Sequence, residues 1–236
     1  MDFLERVQML IGIDKINLLN NKKIIVFGCG GVGSAAIEAL ARAGVGNIDF
    51  VDGDVVSVSN INRQLIALHS TIGENKVDVV KKRLLDINPS GNFNGINLFY
   101  SKETFHLIDL KKYDFVVDCI DNVTAKLYII EECSRNNINL IVSTGTGNRL
   151  DPTQFYITDI FKTTYDPLAR ILRIELKKRG IKKLTVLASR EIPVQIPEEN
   201  KKKDPITNKN IPASISFVPP VAGYIIASFV INKLIK

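Results

Sequence analysis

The most constraining part of this sequence is residues 22–44, KKIIVFGCGGVGSAAIEALARAG. Its first half, KKIIVFG, is β-branched and continuously apolar, as expected of a strand buried on both faces of a parallel sheet. Gly28, Gly30 and Gly33 follow with the spacing G-x-G-x-x-G, and Gly31 stands among them. Such a loop lets backbone N–H groups approach phosphate at a helix N-terminus. The segment predicts a strand–loop–helix unit that binds a nucleotide, and a tight turn without a ligand is the alternative.

Apolar runs and helical stretches alternate through the next hundred residues. Strands are predicted at NIDFVD, INLFY, YDFVVDCID and NLIVST, and helices over residues 31–43, 76–85 and 124–135. Further strands are predicted at TQFYITDI and LTVLAS, and a helix at DPLARILRIELKKRG between them. This alternation predicts an α/β fold with a doubly wound, Rossmann-like, mostly parallel sheet and a C-terminal strand/helix extension.

The length of 236 residues and the hydrophobic content of 45% suit a single large domain. We expect residues 1–20 to form an N-terminal helix and residues 21–160 to form the nucleotide-binding core. Residues 161–236 are expected to form an extension for substrate or dimer contacts. A long loop is predicted at about 192–220, because this stretch carries six prolines and the run Lys201–Lys203.

Composition excludes several classes of protein. The most apolar late segment, VAGYIIASFVINKLI, is short for a membrane span and predicts a buried final helix. The N-terminus carries Asp2 and Glu5 and has no apolar core of a signal peptide, so we expect a cytoplasmic protein without stable membrane insertion. The three cysteines form no C-x-x-C pair, which argues against a zinc site of the usual spacing. The net charge of +6 permits an RNA partner without establishing one.

The residues after the glycine loop separate two kinds of nucleotide. Asp52 closes the second predicted strand about 20 residues past the loop, where a carboxylate accepts hydrogen bonds from ribose hydroxyls. NAD and ATP fit equally well up to this point, and Asp54 is either a second nucleotide contact or a solvated turn residue. Asn60, Arg63 and Gln64 favour ATP, because the planar fork of an arginine binds phosphate oxygens bidentately.

Two further charged positions extend this set. Lys76 adds a compact cation at the start of a predicted helix, although Arg63 and Lys76 taken singly are typical of surface charge. Asp121 ends a predicted strand at the sheet edge where α/β proteins bind ligands, and a carboxylate there suits Mg²⁺ beside phosphates. Helix capping is the alternative for Asp121, and Asn122 is either a cap or a phosphate contact. Asp118 lies three residues earlier, where strict strand alternation would point it to the other face.

The motifs GCGGVGS, DGDVVSVSNINRQ, GENK and DCIDN together resemble the ubiquitin-activating-enzyme superfamily in its ThiF/MoeB/HesA-type form, over most of residues 1–160. In that family a substrate carboxylate attacks the α-phosphate of ATP and pyrophosphate leaves. The resemblance implies ribose binding, phosphate binding and Mg²⁺ binding, in that order, at Asp52, at Arg63 with Lys76, and at Asp121. The candidate catalytic residues are therefore Arg63, Lys76 and Asp121. Arg6 resembles the arginine that some members insert into the site of the partner subunit.

The cysteines narrow the expected reaction. Family members that pass the acyl group to their own thiol need a cysteine in the later half, and this chain has none after Cys133. Cys29 lies in the glycine loop and Cys119 in a predicted strand, where packing is the expected role of a thiol. The adenylate is therefore expected to react with something other than a downstream thiol of this chain.

A narrower resemblance supplies that acceptor. ERVQMLIG, STGTGNRLDPTQFYITDI, FKTTYDPLARILRIELKKRG and PASISFVPPVAGYIIASFVINKLI are similar to the tRNA threonylcarbamoyladenosine dehydratase branch, over nearly the full length. The resemblance implies ATP-dependent activation of the threonylcarbamoyl carboxylate (t6A) at tRNA position 37, followed by ring closure within the modification and net loss of water. An intramolecular acceptor requires no enzyme thiol. The resemblance also implies a homodimer and a monovalent cation, Na⁺ or K⁺, and leaves sulfur-transfer partner proteins open.

Three alternative functions remain open on the sequence. The first is adenylation of the C-terminal glycine of a ubiquitin-like sulfur carrier, the second a NAD-dependent oxidoreductase, and the third a non-catalytic nucleotide-binding partner. Residues 169–183 carry seven basic side chains, which suit either an RNA surface or the solvated face of an amphipathic helix.

Overall fold

A computed structural model describes residues 3–204, 208 and 210–236. Its strands are β1 (Lys23–Phe27), β2 (Asn47–Val51), β3 (Asn92–Ile96), β4 (Phe115–Asp118), β5 (Leu140–Ser143), β6 (Phe155–Asp159) and β7 (Thr185–Ser189). They form one sheet in the order β3-β2-β1-β4-β5-β7-β6. Every neighbouring pair is parallel except β6 and β7, which are antiparallel. The predicted doubly wound, mostly parallel sheet is confirmed.

Helices cover both faces of this sheet. They are α1 (Glu5–Ile11), α2 (Ile13–Asn21), α3 (Gly31–Arg42), α4 (Lys76–Ile87), α5 (Val123–Arg135), α6 (Pro167–Lys178) and α7 (Val218–Leu234). Side chains of β1 alternate between the two faces, as a strand requires. Ile24 and Val26 pack in the cluster that holds α3, α4 and α7, whereas Ile25 and Phe27 pack in the cluster that holds α5. Burial on both sides explains why the β1 sequence is continuously apolar.

The prediction of a single N-terminal helix over residues 1–20 was wrong at Gly12. Gly12 has φ +83° and ψ 160°, a conformation that no helix continues, and it separates α1 from α2. Residues 1 and 2 lie outside the described residues.

The prediction of a strand at INLFY was also wrong, because β3 lies earlier, at Asn92–Ile96. This strand is at the edge of the sheet and buries Phe93, while the side chains on either side of Phe93 stay exposed. An edge strand with one open side carries polar residues, so it lacks the apolar run expected of a buried strand. The apolar residues that suggested a strand, among them Phe99, follow it in irregular structure.

The sheet extends beyond residues 21–160, the predicted nucleotide-binding core, because β7 pairs with both β5 and β6. The loop predicted at about 192–220 ends earlier than expected, since α7 begins at Val218. Pro219 and Pro220 lie in its first turn, where the missing N–H groups cost no hydrogen bond. The predicted final helix is confirmed. Among the described residues, no helix is both long and apolar enough to cross a membrane.

Candidate active site

The carboxyl end of β1 is the point where the strand connections diverge. Because β1 lies between β2 and β4, the loops that follow these three strands meet at one edge of the sheet. In open α/β sheets, ligands bind in the crevice at such a point. The loop from Gly28 to Gly33 follows β1, Asp52 follows β2, and Asp121 follows β4 by three residues. The topology therefore brings the predicted nucleotide residues to one edge.

The glycine loop is packed so tightly that Gly28 and Gly33 tolerate no side chain. Gly28 has φ +89°, and a Cβ atom there would lie 2.9 Å from the Cys119 carbonyl oxygen. A Cβ atom on Gly33 would lie 1.7 Å from the Gly28 carbonyl oxygen. Helix α3 starts directly after Gly30, and its N-cap residue makes no side-chain hydrogen bond to the first turn. The first N–H groups of α3 and the positive end of its dipole are thus available to an anion.

Asp52 joins the glycine loop to the second strand. Its carboxylate accepts hydrogen bonds from the N–H of Cys29 at 2.6 Å and from the N–H of Asp54 at 2.9 Å. Burial raises the pKa of the Asp52 carboxyl, and nearby Lys76 opposes that shift. A partly buried carboxylate fixed at the end of the second strand is the geometry that ribose binding requires.

Lys76 is buried at the start of α4 and is oriented by acidic partners. Its Nζ lies 2.7 Å from the Asp54 carboxylate and 4.0 Å from that of Asp52. The Lys76 N–H also donates to the Asp54 carbonyl oxygen at 3.0 Å. The ammonium group is therefore held beside the predicted ribose carboxylate before any ligand is present.

Arg63 lies against the start of α3. Its carbonyl oxygen is 3.2 Å, and its Cγ 3.5 Å, from the position that a Cβ atom of Gly31 would occupy. The Nη1 of Arg63 donates to the Ser59 carbonyl oxygen and to the Asn62 side chain, both at 2.9 Å. Its Nε and Nη2 make no hydrogen bond to the described residues. The free edge of the guanidinium can therefore bind a phosphate without breaking these contacts.

Gln64 and Asn60 differ in how they relate to the loop. The Nε2 atom of Gln64 is 3.8 Å from the position of a Cβ atom on Gly30, and the buried Oε1 of Gln64 has no hydrogen-bond partner among the described residues. Asn60 uses its Oδ1 to accept the Ser57 N–H at 3.1 Å, so its side chain stabilises the loop. Gln64 has unused hydrogen-bonding capacity next to the glycines, while the acceptor of Asn60 is already occupied.

Asp121 is exposed, and its side chain makes no hydrogen bond or ion pair to the described residues. The next residue, Asn122, caps α5 by accepting the Ala125 N–H at 3.0 Å, which confirms the predicted cap. The described residues contain no group of three or more His, Cys, Asp or Glu side chains that would hold a metal by themselves. Mg²⁺ bound to nucleotides commonly uses one or two carboxylates plus phosphate oxygens and water, so a free Asp121 fits this ion.

Arg6 does not reach the glycine loop of its own chain. The neighbouring Leu4 packs against Gly44, which follows the C-terminus of α3. With 12 residues, α3 places that end about 18 Å along its axis from Gly31. Arg6 is exposed on α1 and has no hydrogen bond or ion pair within the described residues.

The sequence prediction missed Phe99. A Cβ atom on Gly53 would lie 2.7 Å from the Phe99 ring, so the ring covers the backbone next to Asp52. Phe99 is nevertheless 66% exposed, which leaves an open aromatic surface beside the predicted ribose site. Its place in the strand predicted at INLFY concealed this position.

The sequence prediction also missed a fully buried ion pair. Asp118 ends β4, and its Oδ1 lies 3.1 Å from the Nζ of Lys126 on α5. No sequence signal separated Lys126 from the solvated lysines that helices commonly carry. Asp118 is fully buried, whereas Asp121, three residues later, is exposed. Because β4 ends at Asp118, the strand alternation that was expected to point the two side chains to opposite faces does not extend to Asp121.

The three cysteines are free thiols. Burial raises the pKa of Cys29 well above its ordinary value and raises the pKa values of Cys119 and Cys133 to about 12. Thiols with such pKa values stay protonated at neutral pH and are poor nucleophiles. Cys119 lies just beyond β4, not within a strand as predicted.

Three of the seven basic side chains at residues 169–183, the stretch that suited either an RNA surface or a solvated helix face, make contacts within the protein. Arg173 donates to Thr163, Lys178 pairs with Glu175, and Arg179 pairs with Glu131. The remaining basic side chains are exposed and have no ion pair within the described residues; they are Arg170, Lys177, Lys182 and Lys183.

The described residues between β7 and α7, namely 190–204, 208 and 210–217, contact loops at the edge of the sheet that carries the glycine loop. The Asn148 N–H donates to the Ala213 carbonyl oxygen at 2.8 Å, and the Ala213 N–H donates to the Asn148 Oδ1 at 2.7 Å. The Val194 N–H donates to the Asn148 carbonyl oxygen at 2.7 Å. Asn62, beside Arg63, donates to the Ser214 carbonyl oxygen at 3.1 Å. This segment therefore connects the loop after β5 to the loop that holds Arg63.

Comparisons with known proteins agree with this arrangement. A family model described as the ThiF family matches residues 4–236. The tRNA threonylcarbamoyladenosine dehydratase of Bacillus subtilis (strain 168) is 42% identical over 238 residues, which cover 98% of this chain and 94% of that protein.

Solved structures show the same similarity. The E. coli tRNA N6-threonylcarbamoyladenosine dehydratase, TcdA, in complex with AMP matches with a TM-score of 0.88 at 33% identity, over 97% of this chain and 92% of that chain. The same protein in complex with ATP matches with a TM-score of 0.85 at 33% identity, over the same shares of both chains. With a glycine loop, a partly buried carboxylate and a lysine at one sheet edge, and with relatives that match along nearly their whole length, this chain belongs to the ThiF family, in its tRNA threonylcarbamoyladenosine dehydratase branch.

Proposed function

We propose that this protein is an ATP-dependent tRNA threonylcarbamoyladenosine dehydratase. The t6A carboxylate attacks the α-phosphate of ATP, pyrophosphate leaves, and ring closure within the modification then expels AMP. The observation that carries the proposal is the similarity to a dehydratase along nearly the full length of both chains. The clustering of Asp52, Lys76 and the glycine loop at one edge supports it.

Each residue of the cluster has a role in this proposal. The glycine loop and the start of α3 bind phosphate oxygens through N–H groups, and Asp52 accepts hydrogen bonds from the ribose hydroxyls. Lys76 and the free edge of Arg63 stabilise the charge that develops on the α-phosphate and on the leaving pyrophosphate. The open ring of Phe99 provides an apolar surface for adenine beside the ribose. A general base is not required at the first step, because the substrate carboxylate is ionised near pH 7.

Asp121 is the residue that we propose as the protein ligand of Mg²⁺. Bound there, Mg²⁺ would neutralise charge on the triphosphate. Gln64, Asn60, Asp54 and Asn122 are proposed to support the nucleotide site. Asp54 orients Lys76, Asn60 and Asn122 fix the loops around it, and Gln64 offers an unused side chain to the phosphates.

Ring closure needs no thiol of the enzyme in this scheme. The acceptor is part of the same modified nucleoside, so the second step is intramolecular and needs only correct positioning. The raised pKa values of the buried cysteines agree with a scheme that leaves these thiols unused.

Mass spectrometry of tRNA nucleosides tests the proposal. Incubation of the protein with ATP and t6A-modified tRNA is expected to lower the mass of the modified nucleoside by one water, with AMP and pyrophosphate formed in equal amounts. Reactions without ATP, or with the Lys76→Met variant, are the controls. An unchanged nucleoside mass with a folded protein would contradict the proposal.

Adenylation of a ubiquitin-like sulfur carrier is the competing reaction. Both reactions use the same ATP site, so ATP–pyrophosphate exchange must be measured with each acceptor in turn. Exchange that depends on a carrier with a C-terminal glycine, and that modified tRNA does not support, would favour the competitor.

We also propose that the protein is a homodimer in which Arg6 completes the site of the partner. Arg6 is exposed and far from its own glycine loop, and Met9 and Leu10 beside it are exposed apolar side chains that a second copy would cover. Mixing the inactive variants Arg6→Ala and Lys76→Met tests this idea, because half of the sites in a mixed dimer then regain both residues. Recovery of activity on mixing is expected, and a monomer by light scattering would contradict the proposal.

Three further proposals concern the setting of the reaction. We place the protein in the cytoplasm, where ATP and modified tRNA occur together, and fractionation of cells tests this. A monovalent cation, Na⁺ or K⁺, is proposed to support the site, and replacing both ions by a bulky organic cation is expected to lower the rate. Sulfur-transfer proteins are proposed as partners, and co-purification from cells at native abundance is the test.

A further inference from the structure

The position of Asp121 is set by its backbone and not by its side chain. The Asp121 carboxylate has no hydrogen bond or ion pair to the described residues, so its direction depends on the turn that follows β4. That turn is fixed on one side by the Cys119 N–H, which donates to the Phe27 carbonyl oxygen at 2.8 Å. It is fixed on the other side by the Asn122 cap of α5. Between these two points, a third contact restrains the turn.

The third contact is made by Asp118. Its Oδ1 accepts the Ile120 N–H at 3.0 Å, directly before Asp121, and also lies 3.1 Å from the Nζ of Lys126. Its Oδ2 is buried and has no hydrogen-bond partner in the part of the chain that the structure describes. Asp118 and Lys126 are both fully buried. The same carboxylate oxygen of Asp118 thus restrains the turn that leads to Asp121 and binds the ammonium group of Lys126.

Lys126 extends this contact to a third chain segment. Its Nζ donates to the Ser143 carbonyl oxygen at 2.9 Å, so one ammonium group links the ends of β4 and β5 to the first turns of α5. Apolar residues of similar volume commonly stabilise a protein as well as a buried ion pair does, because both charges must lose their water. Stability alone is therefore a weak reason for a charged pair at this place.

We propose that Asp118 and Lys126 are positioning residues that orient Asp121 toward the metal and the triphosphate. The inference rests on the proposed role of Asp121 in Mg²⁺ binding. Removing the pair relaxes the turn from Cys119 to Asp121 and lets the free carboxylate sample directions away from the nucleotide. Residues that orient a metal ligand through such contacts commonly change metal affinity by about 10–100-fold when they are replaced.

Calorimetric titration with ATP, with and without Mg²⁺, tests the proposal without a need for turnover. The measured quantity is the factor by which Mg²⁺ tightens ATP binding. The double variant Asp118→Val/Lys126→Met removes both charges together with the acceptor for the Ile120 N–H, and it leaves no lone buried charge. In this variant the factor by which Mg²⁺ tightens ATP binding is expected to fall by about 10–100-fold, while the affinity for ATP without Mg²⁺ stays at the wild-type value. Lys126→Arg keeps the cation and is expected to retain most of the tightening.

Asp121→Asn separates the two levels of the argument. If Asp121→Asn reduces the tightening but the folded double variant does not, the positioning role is refuted and the role of Asp121 stands. If Asp121→Asn leaves the tightening unchanged, both roles are refuted. Should the double variant fail to fold, Asp118→Glu decides, because glutamate keeps the negative charge for Lys126 and moves the acceptor away from the Ile120 N–H. A wild-type tightening factor in that variant overturns the proposal.

Discussion

Replacing Lys76 by methionine should abolish most of the activity and leave the fold nearly intact. The Lys76 side chain is 7% exposed, and its nearer partner, Asp54, is 55% exposed at 2.7 Å. An ion pair that open to water contributes about 1 kcal/mol at most, since the released carboxylate is solvated again. Asp52, 10% exposed and 4.0 Å away, loses a weaker contact and takes up a proton more readily. A loss of about 1 kcal/mol lowers the melting temperature by about 2–4 °C in a chain of this size.

The expected catalytic loss is much larger than this change in stability. Removing one preoriented donor to developing charge commonly costs about 10²–10³-fold in rate, or about 2.7–4 kcal/mol. Single-turnover formation of AMP from ATP and modified tRNA measures it, and thermal unfolding measures stability in the same preparations. Lys81→Met is the matched control, because Lys81 lies exposed on the same helix and has no ion pair within the described residues. A wild-type rate for Lys76→Met, or an equal loss for Lys81→Met, would refute the reasoning.

Three further substitutions test the geometry of the site and its surroundings. Gly33→Ala forces a methyl group against the Gly28 carbonyl oxygen and should destabilise the protein by about 1–3 kcal/mol and lower ATP affinity, and unchanged calorimetric binding would contradict this. Asp52→Asn should cost about 1.5–3 kcal/mol of ATP binding. Because burial raises the pKa of Asp52, the same variant should match or exceed wild-type thermal stability at neutral pH, and this advantage should vanish below pH 3.8, the ordinary value. Burial alone would raise the pKa of Glu38, but hydrogen bonds from Arg83 hold that pKa below its ordinary value of 4.5. Glu38→Gln should therefore cost about 1 kcal/mol of stability near pH 7, and progressively less as the pH falls below 4.5. Urea unfolding as a function of pH measures both effects, and a shift of the opposite sign at either position would contradict the assigned cause.

The sheet was predictable because its central strands are buried on both faces and carry uninterrupted apolar runs. The edge strand β3 was not, since in its sequence NFNGI Phe93 is buried and Ile96 only partly so, and the sequence resembles a loop. The break at Gly12 was also missed, because a glycine within a helical pattern carries no mark of the φ angle it adopts. Local sequence therefore predicts strands that are buried on both faces. It fails for elements whose position or conformation depends on contacts with distant parts of the chain.

The candidate site divides in the same way. The glycine loop, Asp52 and Lys76 follow strand and helix ends closely, so sequence spacing placed them at one edge of the sheet. Phe99 and Lys126 gain their positions from contacts with residues far away in the sequence, at Gly53 and Ser143. Pattern reasoning has no access to such pairings when only one sequence is read. Arg6 was predicted from resemblance alone, and a second copy of the chain is needed to test it.

The contact between α3 and α7 has a consequence for protein synthesis. A Cβ atom on Gly223 would lie 2.3 Å from the Val32 carbonyl oxygen, so the last helix packs closely on the helix that begins at the glycine loop. The apolar surface of α3 that α7 covers is translated before α7 and stays uncovered until α7 has left the ribosome. Most of the nascent chain must therefore wait with an exposed apolar helix, a state prone to aggregation and to chaperone binding. The start of α3 therefore reaches its final packing only after α7 has docked, although its residues are translated long before those of α7.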